Sequence, residues 1–206
     1  MSRSPELNQK MRDERREAIL HHALGLFAAN GLHATKISDI AERAGMSQGL
    51  LYHYFRSKEE IYTELIRGAF ERMNAAALGL EALDMPPREK IELALTQLVK
   101  GIEEGEEFAR MVMLNAQAGI SEVTPPEARR ILSEQSGVPY AVVERILRAG
   151  QREGTIKPHD AGEMSVAFWT AIKGLALHKA VYGAEFRAPD IRILTSMFFN
   201  EEESNG

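Results

Sequence analysis

The stretch TKISDIAERAGMSQGLLYHYFRSKEEI, residues 35–61, places two short apolar periodic runs on either side of Ala44-Gly45-Met46-Ser47. Gly45 can end one helix and Ser47 can cap the next. That leaves a turn of about three residues and a steep crossing of two helices, the helix-turn-helix arrangement. Ile40, Leu51 and Phe55 are spaced to fill the core beneath, and Ala41 is small where the second helix must approach. Ser47, Gln48, Gly49, Tyr52 and His53 then face outward. A glutamine can read an adenine edge by two hydrogen bonds, and Gly49 admits close approach of the sugar-phosphate. A tyrosine hydroxyl, helix N-terminal amides and Lys58 suit phosphate oxygens, which set register without reading sequence. The same spacing occurs in short surface helices that never touch DNA, so geometry alone leaves both readings open.

Outward from this stretch nearly every segment reads as helix, and no convincing alternating strand appears. The first ten residues are polar and read as a loose arm. A helix over residues 11–29 carries Ile19, Ala23, Leu26 and Phe27 on one face, and Asn30-Gly31 ends it. Short helices follow over 37–43 and 48–54. Ser57 with Glu60 forms a capping box for a long helix over 58–78. Pro86-Pro87 opens a helix ending near Gly105, and another runs to about Gly119. Thr124-Pro125-Pro126-Glu127 marks a further helix start. Gly137 and Pro139 interrupt that helix before it resumes to Gln151. Residues 152–160 form a loop, Asp160 with Glu163 caps a helix to about Tyr182, and a last helix spans 189–200 before a frayed tail at 201–206.

Composition fits a globular protein: of 206 residues, 44% are hydrophobic and 27% charged, with ample material for a core. The net charge is -5, unevenly split. Residues 1–60 hold nine Lys/Arg against eight Asp/Glu and four of the six histidines; the remainder holds 16 against 22. A near-neutral front is compatible with nucleic acid, and the acidic rear disfavours a second polyanion site. The chain has no cysteine, which excludes disulfides, thiolate metal sites and thiol nucleophiles. The start lacks an apolar signal region and no run approaches a membrane span, so a cytoplasmic location is expected.

The residues LGLFAANGLHATKISDIAERAGMSQGLLYHYFRSKEEIYTELI carry more than spacing. They resemble the N-terminal domain of the tetracycline-repressor (TetR) family of bacterial transcription regulators. The matching positions are Phe27-Ala28-Ala29-Asn30-Gly31, Thr35, Ile40-Ala41, Ala44-Gly45-Met46-Ser47, Gly49-Leu50-Leu51-Tyr52-His53-Tyr54-Phe55 and Lys58-Glu59. The likeness covers about residues 13–73; the rear resembles the family only through its helical character and the Gly-x-x-x-Gly loop at Gly150–Gly154. Tyr54 departs from the histidine frequent there. The resemblance implies an all-α fold. After an arm at 1–10 comes a helix-turn-helix domain at 11–57, with its reading motif at 36–55. A helical effector-binding and dimerisation domain follows at 58–200. It implies Thr35 and Lys36 on phosphate, Ser47, Gln48 and Gly49 near bases, Tyr52 and His53 near backbone or thymine methyls, Tyr54 beside phosphate, and Lys58 clamping phosphate. Arg12, Arg15 and Arg16 could add backbone contacts or simply form a solvated face.

Other constellations carry less. His21-His22 point about 100° apart on a helix and cannot easily share an ion. The acidic run Glu103, Glu104, Glu106, Glu107 reads as solvated, so no metal is expected. Enzyme motifs are absent, and no cofactor is implied. In the rear, Leu95, Phe108, Met111 and Trp169, with Asn115 and His178 interspersed, read either as plain core or as an apolar pocket for a small effector. Ala167, Ala171 and Gly174 put small residues on one helix face, and Leu194 and Phe198 lie on the apolar face of the last helix. Together these five suggest a homodimer seam, since one reading helix spans few base pairs and a two-fold dimer is needed. The reading is a homodimeric repressor released from a palindromic DNA operator by a small apolar or amphipathic effector. The alternative is a DNA-bound adaptor whose rear domain binds a partner protein, which an exposed apolar patch outside the seam would favour.

Overall fold

Gly31 breaks the first helix. In the computed structural model, which describes residues 5–199, the chain is helical over α1 (Pro5–Ala34), but Gly31 has φ 74°, ψ 171° and divides it. The helix thus ends where Asn30-Gly31 predicts, with one further turn before α2 (Ile37–Arg43). At its front it reaches back to Pro5, so residues 5–10 are helical and not the loose arm expected. A proline at the first position fits, because its missing N–H has no intrahelical partner there. Residues 1–4 and the tail at 201–206 lie outside the described residues.

The remaining elements are α3 (Gln48–Leu51), α4 (Lys58–Ala82), α5 (Pro87–Glu104), α6 (Glu107–Ile120), α7 (Pro126–Gln135), α8 (Val138–Arg152), α9 (Ala161–Tyr182), a 3₁₀ turn at Gly183–Glu185 and α10 (Ile191–Thr195). The described residues contain no strand, and the fold is all-α. Three boundaries depart from the sequence reading. Beyond Leu51 the chain tightens: His53 N–H donates to Leu50 O at 3.1 Å and Tyr54 N–H to Leu51 O at 2.9 Å, bonds of 3₁₀ type that end α3 early. Helix α4 runs one turn past Leu78. The last helix is a five-residue piece, because Met197 N–H and Phe198 N–H likewise take i−3 carbonyls.

The chain divides into two compact units, residues 5–69 with 113–132 and residues 70–112 with 133–199. In the first, the predicted face of α1 is buried at Ile19, Ala23, Leu26 and Phe27, with Ile40, Leu51 and Phe55 buried as the spacing requires. Phe27 meets Tyr62 edge-to-face at 5.2 Å, a favourable aromatic geometry. Burial pushes the Tyr62 phenol pKa up, partly opposed by its bond to Thr124. Thr124 Oγ1 in turn donates to Ala118 O at 2.9 Å. With Gln117 Nε2 donating to Ala28 O at 3.1 Å, and with Arg67 paired to Glu127, the segment 113–132 is fastened to α1 and α4. From sequence alone this segment reads as part of the rear domain at 58–200, whereas it packs with the first unit.

In the second unit α9 packs along α8, both pack on α5, and α10 closes against α5. Phe168, Ile172, Ile91, Val142 and Leu147 form its centre, each worth about 1.5–3 kcal/mol on full burial. Gly150 gives α8 its close approach to the following loop: a Cβ there would lie 2.4 Å from the Ile156 side chain, which would have to shift. That loop is tied down by Lys157, whose N–H donates to Phe198 O at 2.9 Å and whose Nζ donates to Ser196 O at 2.7 Å. Asp160 caps α9 as expected, accepting from Glu163 N–H at 2.9 Å.

Candidate nucleic-acid interface

The turn between α2 and α3 is set by Gly45. Its φ of 67° suits a residue without a Cβ, and Met46 N–H donates to Ala41 O while Gly45 N–H donates to Glu42 O, both at 3.0 Å. This is a Schellman closure, and it turns the chain sharply out of α2. Ser47 then caps α3, its Oγ accepting from Leu50 N–H at 3.1 Å. Ser57 caps α4 the same way at 3.2 Å, while Glu60 reaches back to Arg56 N–H at 2.6 Å. The reading helix is therefore held at both ends by local caps and below by Leu51 and Phe55.

Above that support Ser47, Gln48, Gly49, Tyr52 and His53 are all exposed, as the spacing predicts, and Lys36 is exposed at the start of α2. Gly49 has open space where a Cβ would sit, so the fold itself does not require glycine there. Tyr54 is half-buried at the edge of this group.

Two residues are employed differently from the expectation. Thr35 is 1% exposed, and its hydroxyl donates inward to Gly31 O at 2.7 Å, so it stitches the chain after the α1 break instead of facing phosphate. Lys58 Nζ donates to Leu32 O, His33 O and Thr35 O at 2.8, 3.0 and 2.8 Å. An ammonium has three donors, and all three are used. The C-terminal carbonyls of α1 need such a cation, so Lys58 caps α1 across chain segments, where the sequence reading puts it on phosphate. Arg16 is likewise engaged: it pairs with Glu64 at 3.0 Å and lies 4.3 Å over the Phe55 ring. It steadies the end of α3, a role the sequence does not announce because its partners are 39 and 48 residues away. Arg12 and Arg15 are exposed.

The sequence pattern of the bacterial regulatory proteins of the tetR family matches residues 19–65, which span α2, the Gly45 turn and α3. These residues carry the TetR-family N-terminal pattern. The chain is 27% identical over 164 residues to the HTH-type transcriptional repressor KstR2 of Rhodococcus jostii, covering 77% of this chain and 78% of the relative. The KstR2 repressor of Mycobacterium tuberculosis is 39% identical over 80 residues, about 40% of its length. In fold, the chain is similar to the solved structure of ketosteroid transcriptional regulator KstR2 of Mycobacterium tuberculosis. The TM-score is 0.73 at 22% identity, covering 91% of this chain and 96% of that one. The MbdR regulator from Azoarcus sp. CIB gives 0.74 at 24% identity, covering 88% and 93%. The family and these relatives are regulators of transcription and not enzymes.

The rear-domain residues are distributed less simply. Leu95, Met111 and Trp169 are buried and Phe108 is half-buried, all in the second unit. Asn115 belongs to the unit that holds α3. His178 is exposed, stacked on Tyr182 at 4.3 Å and edge-on to Phe186 at 5.7 Å, so it is a surface residue and not a lining one. Of the seam residues, Gly174 is exposed with open space above it, and Ala167 and Ala171 are half-buried. Leu194 and Phe198 are buried in their own unit's core and cannot face another chain. The outward apolar residues are instead Val166, Leu177, Val181 and Tyr182 on α9, with Ile193 and Met197 beside them in sequence on and after α10. Their spacing along α9 is helical and legible in the sequence. Among the described residues no group of His, Asp or Glu could hold a metal, and no helix is long and apolar enough to cross a membrane.

Proposed function

We propose that this protein is a cytoplasmic, homodimeric TetR-family repressor that leaves a palindromic operator when a small apolar or amphipathic effector binds its second unit. The observation that carries the reading is the outward set on α3. Gln48 beside Gly49, with open space around the glycine, suits a helix lying in a major groove with Gln48 at a base edge. Ser47, Tyr52, His53 and Lys36 supply donors for phosphate on either side, with Tyr54 at the margin. The second copy is supported by α9, where Val181 is 69% exposed and Val166 and Leu177 more than half. Such a row belongs against its two-fold mate, with Gly174 allowing close approach and Ala167 and Ala171 at the margin. Leu95, Phe108, Met111 and Trp169 offer the apolar surroundings an effector would use, with Asn115 following on the same α6. Helix α4 is continuous between the units, residues 58–69 in one and 70–82 in the other. An effector that favours one conformation of the second unit would thus bias the head, and operator DNA would weaken effector binding by the same factor.

Genomic fragments from the source organism, selected on the pure protein, should share a two-fold symmetric site protected in footprinting. A lipid-soluble extract of the organism's cells should release it. Random fragments bound without a common site would sink the reading.

A second reading, the DNA-bound adaptor, draws on Ile120 and Val123, which are 86% and 57% exposed at the end of α6, away from the α9 row in sequence. Release of the operator by extract protein but not by the small-molecule fraction would favour it.

A further inference from the structure

Arg16 joins α1 to both α3 and α4 within the first unit. Its guanidinium pairs with Glu64, on the second turn of α4, at 3.0 Å. It also lies 4.3 Å over the Phe55 ring and approaches the Tyr54 carbonyl oxygen at 3.5 Å. A planar guanidinium can stack on a ring while its N–H groups point outward in the plane, which an ammonium cannot do. These contacts fall where α3 has least support of its own. Its regular part is four residues, Gln48–Leu51, too short to hold a direction by backbone bonds alone. Ser47 fixes its front, and Leu51 and Phe55 are buried beneath it. Beyond Leu51, His53 and Tyr54 continue through bonds to i−3 carbonyls, whose geometry is poorer than that of an α-helix. Arg16 reaches this last turn from outside.

We infer that Arg16 is a positioning residue for operator recognition: held by Glu64, it sets where the end of α3, with Tyr52 and His53, stands relative to α1 and α4. This rests on the DNA-binding reading above. The guanidinium already faces a carboxylate and a ring, so reaching a phosphate would break both contacts. A recognition side chain must be held within about 0.5 Å of its productive place, so a small tilt of a short helix costs recognition well before unfolding. The ion pair itself adds little to overall stability, because its side chains are 32% and 36% exposed. The sign of the charge separates positioning from attraction. Removing a carboxylate from a unit that binds a polyanion should, by electrostatics alone, tighten every DNA complex. Removing a positioning partner weakens only the specific one.

The test compares Glu64→Ala and Arg16→Met with wild type on the selected operator fragment and on a scrambled duplex of equal length, across a salt series. Both variants should melt within about 5 °C of wild type. Both should lose about tenfold in the ratio of operator to scrambled affinity, the scale of one lost specific contact. Glu64→Ala should bind the operator more weakly although a negative charge is gone, and the scrambled duplex as well as before or better. Arg16→Met should keep the wild-type slope of log affinity against log salt. A slope lower by about one, with both duplexes weakened alike, would place Arg16 on phosphate and overturn the inference. Tighter operator binding by Glu64→Ala would overturn it too, as would a larger drop in melting temperature, which would make the pair a support of the fold. An unchanged ratio in both variants, beside a wild type that discriminates, sinks this inference alone. A wild type that binds both duplexes equally sinks the DNA-binding reading with it.

Discussion

The ammonium of Lys58, at the first turn of α4, lies 2.8 Å from the carbonyl oxygen of Thr35, just before α2, and holds two further α1 carbonyls with its other hydrogens. A residue that would be assigned to DNA by its place after the reading helix is instead the link that fixes where α2 and α4 start relative to the end of α1. Lys58→Met should therefore behave as a stability variant. We expect a loss of about 2–3 kcal/mol in unfolding free energy, the scale of charge-assisted bonds removed from carbonyls. Operator affinity should fall with the folded fraction, while the slope of log affinity against log salt stays at its wild-type value. A slope lower by about one, as for a lost phosphate contact, would show that Lys58 turns outward on DNA.

Gln48 has the opposite profile. It is exposed and stands above the turn that Gly45 and Ser47 build. Gln48→Ala should leave the melting curve unchanged and cost about 1–3 kcal/mol in operator binding, relaxing preference at one or two base pairs. Binding selections on randomised operator halves measure this. An unchanged preference would move base reading to Tyr52 or His53.

The two cases show what the sequence carries and where it stops. The α2–α3 turn was readable because its determinants are local: a left-handed glycine, a capping serine, and apolar residues at helical spacing. The outward set on α3 followed from the same periodicity. The inward bonds of Thr35 and Lys58 are not legible in the sequence, because the chain must fold back on itself before they meet Gly31, Leu32 and His33. The burial of Leu194 and Phe198 in their own unit is hidden for a related reason. Their apolar face could have met either their own unit or a second copy, and only the packing of α10 on α5 decides between them.

Glu81 and Arg145 provide a pH-dependent tie within the second unit. Two bonds of 2.7 Å from the guanidinium hold the Glu81 carboxyl below its ordinary pKa, assisted by Lys90. A lowered carboxylate pKa means the contribution is fully present above the unfolded value of 4.5 and is lost as pH falls through the lower folded value. Glu81→Gln should thus lower the melting temperature by about 1–3 °C at pH 7, the scale of a partly exposed ion pair. At pH 3 the gap between the variant and wild type should narrow. A gap that is constant across this range would mean the pair contributes by packing and not by charge.

The α9 face should decide assembly. Val181, Leu177 and Val166 project at helical spacing into solvent, and Gly174 stands among them with nothing within 4 Å of where a Cβ would be. A glycine in mid-helix costs about 1 kcal/mol relative to alanine, so its presence on a face with room to spare implies a neighbour that needs the space. Val181→Glu would place a charge where that neighbour packs, and Gly174→Leu would hold the two surfaces apart. Neither touches its own unit's core, so both variants should keep wild-type helicity. Sedimentation should show them shifted to monomer, with operator affinity reduced by at least about tenfold because a single half-site then binds alone. Leu194→Ala is the contrasting variant: buried in its own core, it should lose about 2–5 kcal/mol of stability without a specific effect on assembly. If Val181→Glu stays dimeric while Leu194→Ala dissociates without unfolding, the seam runs along α10 and the α9 row faces something else.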